Sequence, residues 1–135
     1  MSKRAFFILL GTLSLIIGGA IYLLFRENAY ITIFFGTNFL ARIRETVSFL
    51  SVQIVNFYFV DFLWGLSLCA YLLAIFAPKG AGIFFCGIVA FLCGTGWELL
   101  QFTGVVSGTG DVLDIIAYLV AAIIAVIIFL KGKFL

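Results

Sequence analysis

Carboxylates in apolar surroundings are the side chains of this sequence best suited to chemistry. Glu98 interrupts a long apolar stretch, and Asp61 and Asp114 do the same in two others. A carboxyl group taken out of water can act as a general acid or base, can be held ionised by an arginine, or can bind a divalent cation. The sequence therefore makes Glu98, Asp114 and Asp61 the candidate catalytic residues, and it leaves open whether any reaction is catalysed.

Other reactive side chains are scarce. The chain has no histidine, and Cys69, Cys86 and Cys93 lack the Cys-x-x-Cys spacing of a metal or redox site. We therefore predict no dedicated metal site, neither zinc nor haem. Small thiols within apolar stretches are typical packing residues of helices. The sequence points to no particular cofactor and to no nucleic-acid partner.

The elements that carry the acids must lie in lipid. Of the 135 residues, 65% are hydrophobic and 10% are charged, whereas soluble domains average roughly 45–50% and 25%. The mean hydropathy of +1.32 agrees. A soluble core of this size could not bury so much apolar surface. We therefore expect an all-α, polytopic membrane protein whose main partner is the lipid bilayer.

Four apolar segments are long enough to span a bilayer, whose hydrocarbon core of about 30 Å needs about 20 helical residues. We predict spans over 5–25, 57–77, 81–102 and 112–130, all within a single membrane domain of residues 1–135. A secretory signal has an apolar region of only about 7–15 residues, so we expect the first span to be retained.

The connection between the first two spans has the pattern of an amphipathic helix. Apolar residues recur at helical spacing over residues 38–54, while Arg42, Arg44 and Glu45 occupy other faces. We predict that this helix lies in the membrane interface or re-enters shallowly. Its arginines are candidates for pairing with Asp61 or for binding a substrate.

Basic and acidic residues fall on opposite sides of the predicted topology. The side of the termini carries no acid and five basic residues, namely Lys3, Arg4, Lys79, Lys131 and Lys133. The other side carries three arginines and all six acids. Basic residues near short loops stay cytoplasmic, so we predict both termini in the cytoplasm and the protein in the cell membrane. The same topology places Asp61, Glu98 and Asp114 within about 3–6 Å of the outer edge of the hydrocarbon.

Small residues share the predicted helix faces of these acids. Gly94 lies one turn before Glu98, and Gly65 lies one turn after Asp61. In the last span, Tyr118 follows the aspartates at helical spacing and alanines continue the row. Stripes of small residues let helices approach closely in lipid. We therefore expect the acids to point into the bundle.

Structural roles compete with chemistry at each acid. Asp111 and Asp114 open a helix as Asp-x-x-Asp, where capping and the positive helix end favour them without any ligand. Asp61 could serve only to pair with an arginine. Glu98 lies near the C-terminal end of its helix, where the dipole disfavours an anion, and in a partly desolvated layer. A functional role is therefore indicated most strongly for Glu98.

Polar and aromatic neighbours complete the predicted site. Gln101, one turn after Glu98, is its expected hydrogen-bonding neighbour. Trp64 and Trp97 are expected to anchor the protein at the interface or to line a lipid-access groove. The glycine-rich loop 103–110 is a weak phosphate-binding motif because it lacks Gly-Lys-Ser/Thr. The predicted substrate-binding residues are Gln101, Asp111, Tyr118, Arg42, Arg44 and Trp64.

Two stretches carry a resemblance to a known family. In Trp97-Glu-Leu-Leu-Gln101 an acid-x-x-Gln ends one predicted helix, and in Ser107-Gly-Thr-Gly-Asp-Val-Leu-Asp-Ile-Ile-Ala-Tyr118 paired aspartates open the next. These motifs resemble the signature of the VanZ-like family of small bacterial membrane proteins. Asp61-Phe-Leu-Trp64 resembles the acidic start of that family's preceding helix. The resemblance covers about residues 57–130 and implies a role at the bacterial envelope, since the family's namesake is associated with resistance to teicoplanin.

The chain departs from the family pattern at two places. No basic residue lies between Glu98 and Lys131, where the family commonly has an arginine before the paired aspartates. Tyr118 stands near the position of a family asparagine. These departures indicate a divergent branch, in which Arg42 or Arg44 would replace the missing charge in space.

Three functions remain open from the sequence. The first is binding of, or action on, an envelope lipid or cell-wall intermediate at the outer face. The second is a small proton- or cation-coupled transporter, assembled as a homo-oligomer, with the membrane acids as its relay. The third is a non-catalytic scaffold that docks partner proteins through Gly11, Ser14 and Gly18 of the first span.

Overall fold

Four long helices make up most of the part of the chain that the structure describes. The structure is a computed structural model, and it describes residues 1–25, 42 and 53–132. The helices are α1 (Lys3–Phe25), α2 (Gln53–Phe76), α3 (Ala81–Phe102) and α4 (Val112–Lys131). Each contains a segment long and apolar enough to cross a membrane. The predicted all-α fold with four spans is confirmed, and these helices indicate a multi-pass membrane protein.

The predicted spans agree with the helices to within two residues, except at the start of α2. This helix begins at Gln53, four residues before the predicted span. The polar residues Gln53 and Asn56 limit the apolar stretch that hydropathy detects, but they do not limit the helix, because its backbone hydrogen bonds form regardless of side-chain polarity. Residues 53 and 54 therefore belong to α2 and not to the predicted amphipathic helix over 38–54. The rest of that prediction, apart from Arg42, lies outside the described residues.

Small residues make up about half of the interior of the bundle. α2 packs against α1, α3 and α4, and α4 also packs against α3. Small residues such as Cys69, Ala90 and Ala121 are buried where the helices meet. Large apolar side chains point outward, among them Ile16 and Phe85. This distribution suits helices that pack closely together within lipid.

The predicted docking stripe of the first span is used inside the bundle. Ser67 donates a hydrogen bond to the Gly11 carbonyl oxygen at 2.9 Å. A Cβ on Gly18 would lie 3.0 Å from the Trp64 indole, and Ser14 is 4% exposed. The stripe therefore packs α1 onto α2. The scaffold hypothesis needs this stripe to be open to a partner protein, and in the structure it is covered.

The helices run up and down, so the described charges separate into two ends. The Lys3 ammonium lies 3.8 Å from the centroid of the Phe129 ring. Arg4 Nη2 donates to the Ile75 carbonyl at 3.5 Å. The start of α1 thus meets the last turns of α2 and α4. We call this the basic end, defined by Lys3, Arg4, Lys79 and Lys131. The opposite end, called the acidic end, is defined by Asp61, Glu98, Asp111 and Asp114.

Candidate functional site

Tyr118 lies at the centre of the acidic end. Its ring packs between two glycines: a Cβ on Gly65 would lie 3.0 Å from Cδ1, and a Cβ on Gly94 would lie 2.6 Å from both Cδ atoms. The side chain is 6% exposed. Its hydroxyl donates to Asp61 Oδ1 at 2.8 Å. The two glycines therefore form a slot through which a tyrosine on α4 reaches an aspartate on α2.

Three carboxylates from three helices lie near the hydroxyl of this tyrosine. Asp61 of α2, Glu98 of α3 and Asp114 of α4 each interact electrostatically with the Tyr118 hydroxyl. The topology predicts that these acids share one layer, and the structure places them so. The motif position of Tyr118 makes it a candidate site residue, but its contact with Asp61 follows only from the packing.

Glu98 is buried where α3 ends. It is 2% exposed, and its Oε2 accepts a hydrogen bond from the Asp111 backbone N–H at 3.1 Å. With its amide nitrogen facing the carboxylate, Gln101 donates to the same oxygen at 3.3 Å and accepts from Trp97 Nε1 at 3.1 Å. Gln101 therefore lies within hydrogen-bonding reach of Glu98, as helical spacing predicts. Because a buried carboxylate needs donors, these bonds explain how the bundle tolerates it.

The loop between α3 and α4 folds back closely on the end of α3. A Cβ on Gly110 would lie 2.6 Å from the Phe102 ring and 2.9 Å from the Glu98 carbonyl oxygen. Gly108 has φ of 139° and packs against the Gln101 amide. Only glycine adopts that backbone conformation without strain. Close packing thus accounts for these glycines without a bound phosphate.

Asp111 caps α4 and also joins it to α2. Its Oδ1 accepts from the Leu113 backbone N–H at 2.9 Å, as an N-cap does. Its Oδ2 accepts from the Tyr58 hydroxyl at 3.0 Å. The capping role considered for Asp111 is confirmed, and Asp114 lies in the first turn of α4, where the helix dipole favours an anion.

The bond between Tyr58 and Asp111 is the contact of this end that the sequence does not reveal. From the sequence Tyr58 is expected only as an interfacial anchor near Trp64 and Trp97, and an interfacial tyrosine needs no partner inside the protein. A usable signal was its position three residues before Asp61, which places both on one face of α2.

For the remaining predicted binding residues, the structure records no contact with Tyr118 among the described residues. The Trp64 ring centroid lies 5.4 Å from that of Tyr22, so its described contacts include α1. Arg42 is exposed. Arg44 lies outside the described residues. The predicted roles of these three residues in substrate binding stay predictions.

The arrangement offers hydrogen-bonding groups at the membrane edge. Within the described ranges, no group of three or more Cys, Asp or Glu side chains is arranged to hold a metal ion. Asp61, Glu98 and Asp111 each accept a hydrogen bond from another residue. Carboxylate oxygens and tyrosine hydroxyls in such a layer can bind hydroxyl, amide or amine groups of a ligand, and a carboxyl group can exchange a proton with it.

Comparison with known proteins finds no relative. No family model, no curated protein and no solved structure matches this chain. The similarity to the VanZ-like family therefore stays a prediction that depends on the motif residues Glu98, Gln101, Asp111 and Asp114.

Proposed function

We propose that the protein is a VanZ-like membrane protein of the bacterial envelope, which binds an envelope lipid or cell-wall intermediate at its acidic end. The observation that carries this proposal is the burial of Glu98, which is 2% exposed at the C-terminal end of a membrane-spanning helix. In the proposed orientation, the basic end lies in the cytoplasm and the acidic end lies at the outer edge of the membrane.

The energetics of burial favour a purpose for Glu98 beyond packing. At the centre of a membrane helix an ionisable residue costs roughly 2.5–3.5 kcal/mol on insertion scales, and this is an upper bound for Glu98 because it lies near the end of its span. Bonds from Asp111 and Gln101 offset this cost, but a leucine of similar size would need no donors. Ionisable residues within spans commonly mark binding sites or ion pathways.

The chemistry of the site indicates the class of ligand. Three carboxylates and the hydroxyls of Tyr58 and Tyr118 suit a headgroup rich in hydroxyl, amide or amine groups, as sugars and peptides of the cell wall are. The site lies at the end of membrane spans, so the ligand would be an amphiphile whose chain remains in lipid. A bare phosphate would be repelled by the acids. In this proposal, the guanidinium groups of Arg42 and Arg44 bind a phosphate of the headgroup if it has one.

A purely structural role is the second candidate. It is favoured by the fact that Asp61, Glu98 and Asp111 are each hydrogen-bonded within the chain. In that case the acids only tie together α2, α3 and α4 at one end. A transporter gains no such support, because the described spans carry no charged residue between the acidic end and the basic end.

The test compares Glu98→Gln with the wild-type protein in cells that lack the gene. We expect the variant to lose any protection against teicoplanin or other wall-directed antibiotics while its abundance in the membrane stays unchanged. Mass spectrometry of the purified proteins should show an envelope lipid or cell-wall intermediate on the wild type and less of it on Glu98→Gln.

Ser67→Ala is the matched control, because it removes a buried hydrogen bond between α2 and α1 and none of the bonds of the acidic end. It should keep both the phenotype and the retained ligand. If Glu98→Gln behaves like this control, the proposal is wrong. If Glu98→Gln lowers abundance and phenotype in parallel, the structural role is the correct one.

A further inference from the structure

We propose that the groove between α3 and α4 binds an acyl chain of an anionic phospholipid in the leaflet at the basic end. The groove has a volume of about 310 Å³, and its exposed lining atoms are all apolar. Phe84 and Phe91 line it on α3, and Ile123 and Ile127 line it on α4. The site is separate from the acidic end, so the inference does not depend on the proposed function.

The depth of the groove comes from small residues between large ones. Gly87 lies between Phe84 and Phe91 on α3, and a Cβ there would lie 2.9 Å from Val126 Cγ2. The two helices therefore meet closely at Gly87, while the aromatic rings on either side project beyond this contact. The result is a trough open to the surrounding lipid, not a closed cavity.

The length of the groove matches one leaflet. Its lining on α4 extends from Leu119 to Leu130, which corresponds to a rise of about 16 Å at about 1.5 Å per residue. This is roughly half of a hydrocarbon core of about 30 Å. A partner helix that crosses the membrane would need a contact surface along the whole core. An acyl chain needs only the leaflet in which its headgroup lies.

Two lysines at the basic end of the groove favour a lipid with a negatively charged headgroup. Leu130 of the lining is followed directly by Lys131, and Lys79 lies in the turn that precedes α3. Both lysines are exposed, and within the described part of the chain neither ammonium group has a side-chain partner. The described residues of this end include no acid. An anionic headgroup would lie level with these lysines while its chain fills the trough.

The first experiment measures lipid preference. The purified protein is incubated with equal amounts of phosphatidylglycerol and phosphatidylcholine that carry the same acyl chains, and the bound lipids are counted by native mass spectrometry. We expect the wild type to prefer phosphatidylglycerol. Lys79→Gln with Lys131→Gln should reduce this preference by about fivefold per lysine, and Lys79→Arg with Lys131→Arg should keep it. A wild type without preference would overturn the proposal.

The second experiment fills the groove. Ile123→Trp places a bulky ring in the trough, and Ile116→Trp places one on α4 outside it, at a position that is also 49% exposed. We expect Ile123→Trp to lose most of the bound phosphatidylglycerol and Ile116→Trp to keep it. Equal binding by the two variants would contradict the assignment. A wild-type dimer that only Ile123→Trp dissociates would show instead that a second copy of the chain occupies the groove.

Discussion

At the acidic end Glu98 is buried and the three aspartates are half-buried, whereas at the basic end Arg4, Lys79 and Lys131 are exposed and Lys3 is half-buried. Glu98 is 2% exposed and accepts a backbone hydrogen bond, while Lys79 and Lys131 are exposed. A lysine can keep its stem in lipid and extend its ammonium group to water, but a shorter acidic side chain cannot reach as far. An acid placed below the membrane edge must therefore be supplied with donors by neighbouring helices. The comparison predicts that the acidic end is sensitive to small changes and that the basic end is tolerant.

The largest expected effect is at the slot that holds Tyr118. Gly94→Ala adds a methyl group where a Cβ would overlap the tyrosine ring. We expect it to lower the free energy of unfolding by about 3 kcal/mol, as overpacking of a filled core does. The measurement is equilibrium unfolding in bicelles.

Gly96→Ala is the control for this substitution, because a Cβ on Gly96 meets nothing within 4 Å. It should be neutral or should stabilise by up to about 1 kcal/mol, since alanine is the better helix former. Similar losses for the two variants would mean that helix propensity, and not the slot, is responsible.

A smaller effect is expected where Glu98 receives the Asp111 N–H. Glu98→Ala leaves this donor without its acceptor, which should cost about 2 kcal/mol of unfolding free energy. Glu98→Gln keeps a side-chain oxygen and should cost less than about 1 kcal/mol. The same unfolding assay separates the two variants. Equal destabilisation would show that the hydrogen bond does not hold the loop to α3.

The contact between Tyr118 and Asp61 should contribute less. Tyr118→Phe keeps the ring in its slot and removes only the hydroxyl that donates to Asp61 Oδ1. A double-mutant cycle with Asp61→Ala should give a coupling energy of about 1 kcal/mol, in the range measured for hydrogen bonds between membrane helices. Additive single effects would mean that the two residues do not stabilise each other.

The smallest effect is expected at the basic end. Lys3→Gln removes the cation above the Phe129 ring, which should cost about 0.5 kcal/mol. Lys79→Gln should change the free energy of unfolding by less than that, because its side chain is exposed. Thermal unfolding in detergent would show both. If Lys3→Gln lowered the free energy of unfolding as much as Glu98→Ala does, the two ends would not differ in their sensitivity to substitution.

The bilayer made much of this fold predictable from sequence. Its thickness imposes one length on every span, so hydropathy located four helices with ends that agree within two residues, except at Gln53. Because consecutive spans cross the membrane in opposite directions, the positions of the described acids along the chain also place them at one end. Helical spacing also identified Gln101 as the neighbour of Glu98, because residues three apart share a helix face.

Other parts of the site could not be predicted because they depend on how helices are rotated and how closely they pack. Gly11 and Gly18 form a stripe in the sequence, but their spacing does not say whether a partner protein or α2 covers it. The sequence likewise does not reveal that the Trp64 ring lies beside Tyr22 of α1. Hydropathy measures the affinity of a segment for lipid and contains no information on which neighbour a given face meets.

The sequence by itself determined the number of spans, the separation of charge and the common depth of Asp61, Glu98 and Asp114. Only the tertiary structure decided which donor serves which acid: Tyr118 for Asp61, the Asp111 N–H for Glu98, and Tyr58 for Asp111. The physical reason is one of scale. A span is specified to within a turn by its length in lipid, whereas a hydrogen bond requires its two atoms to be about 3 Å apart, which only the packing of three helices can set.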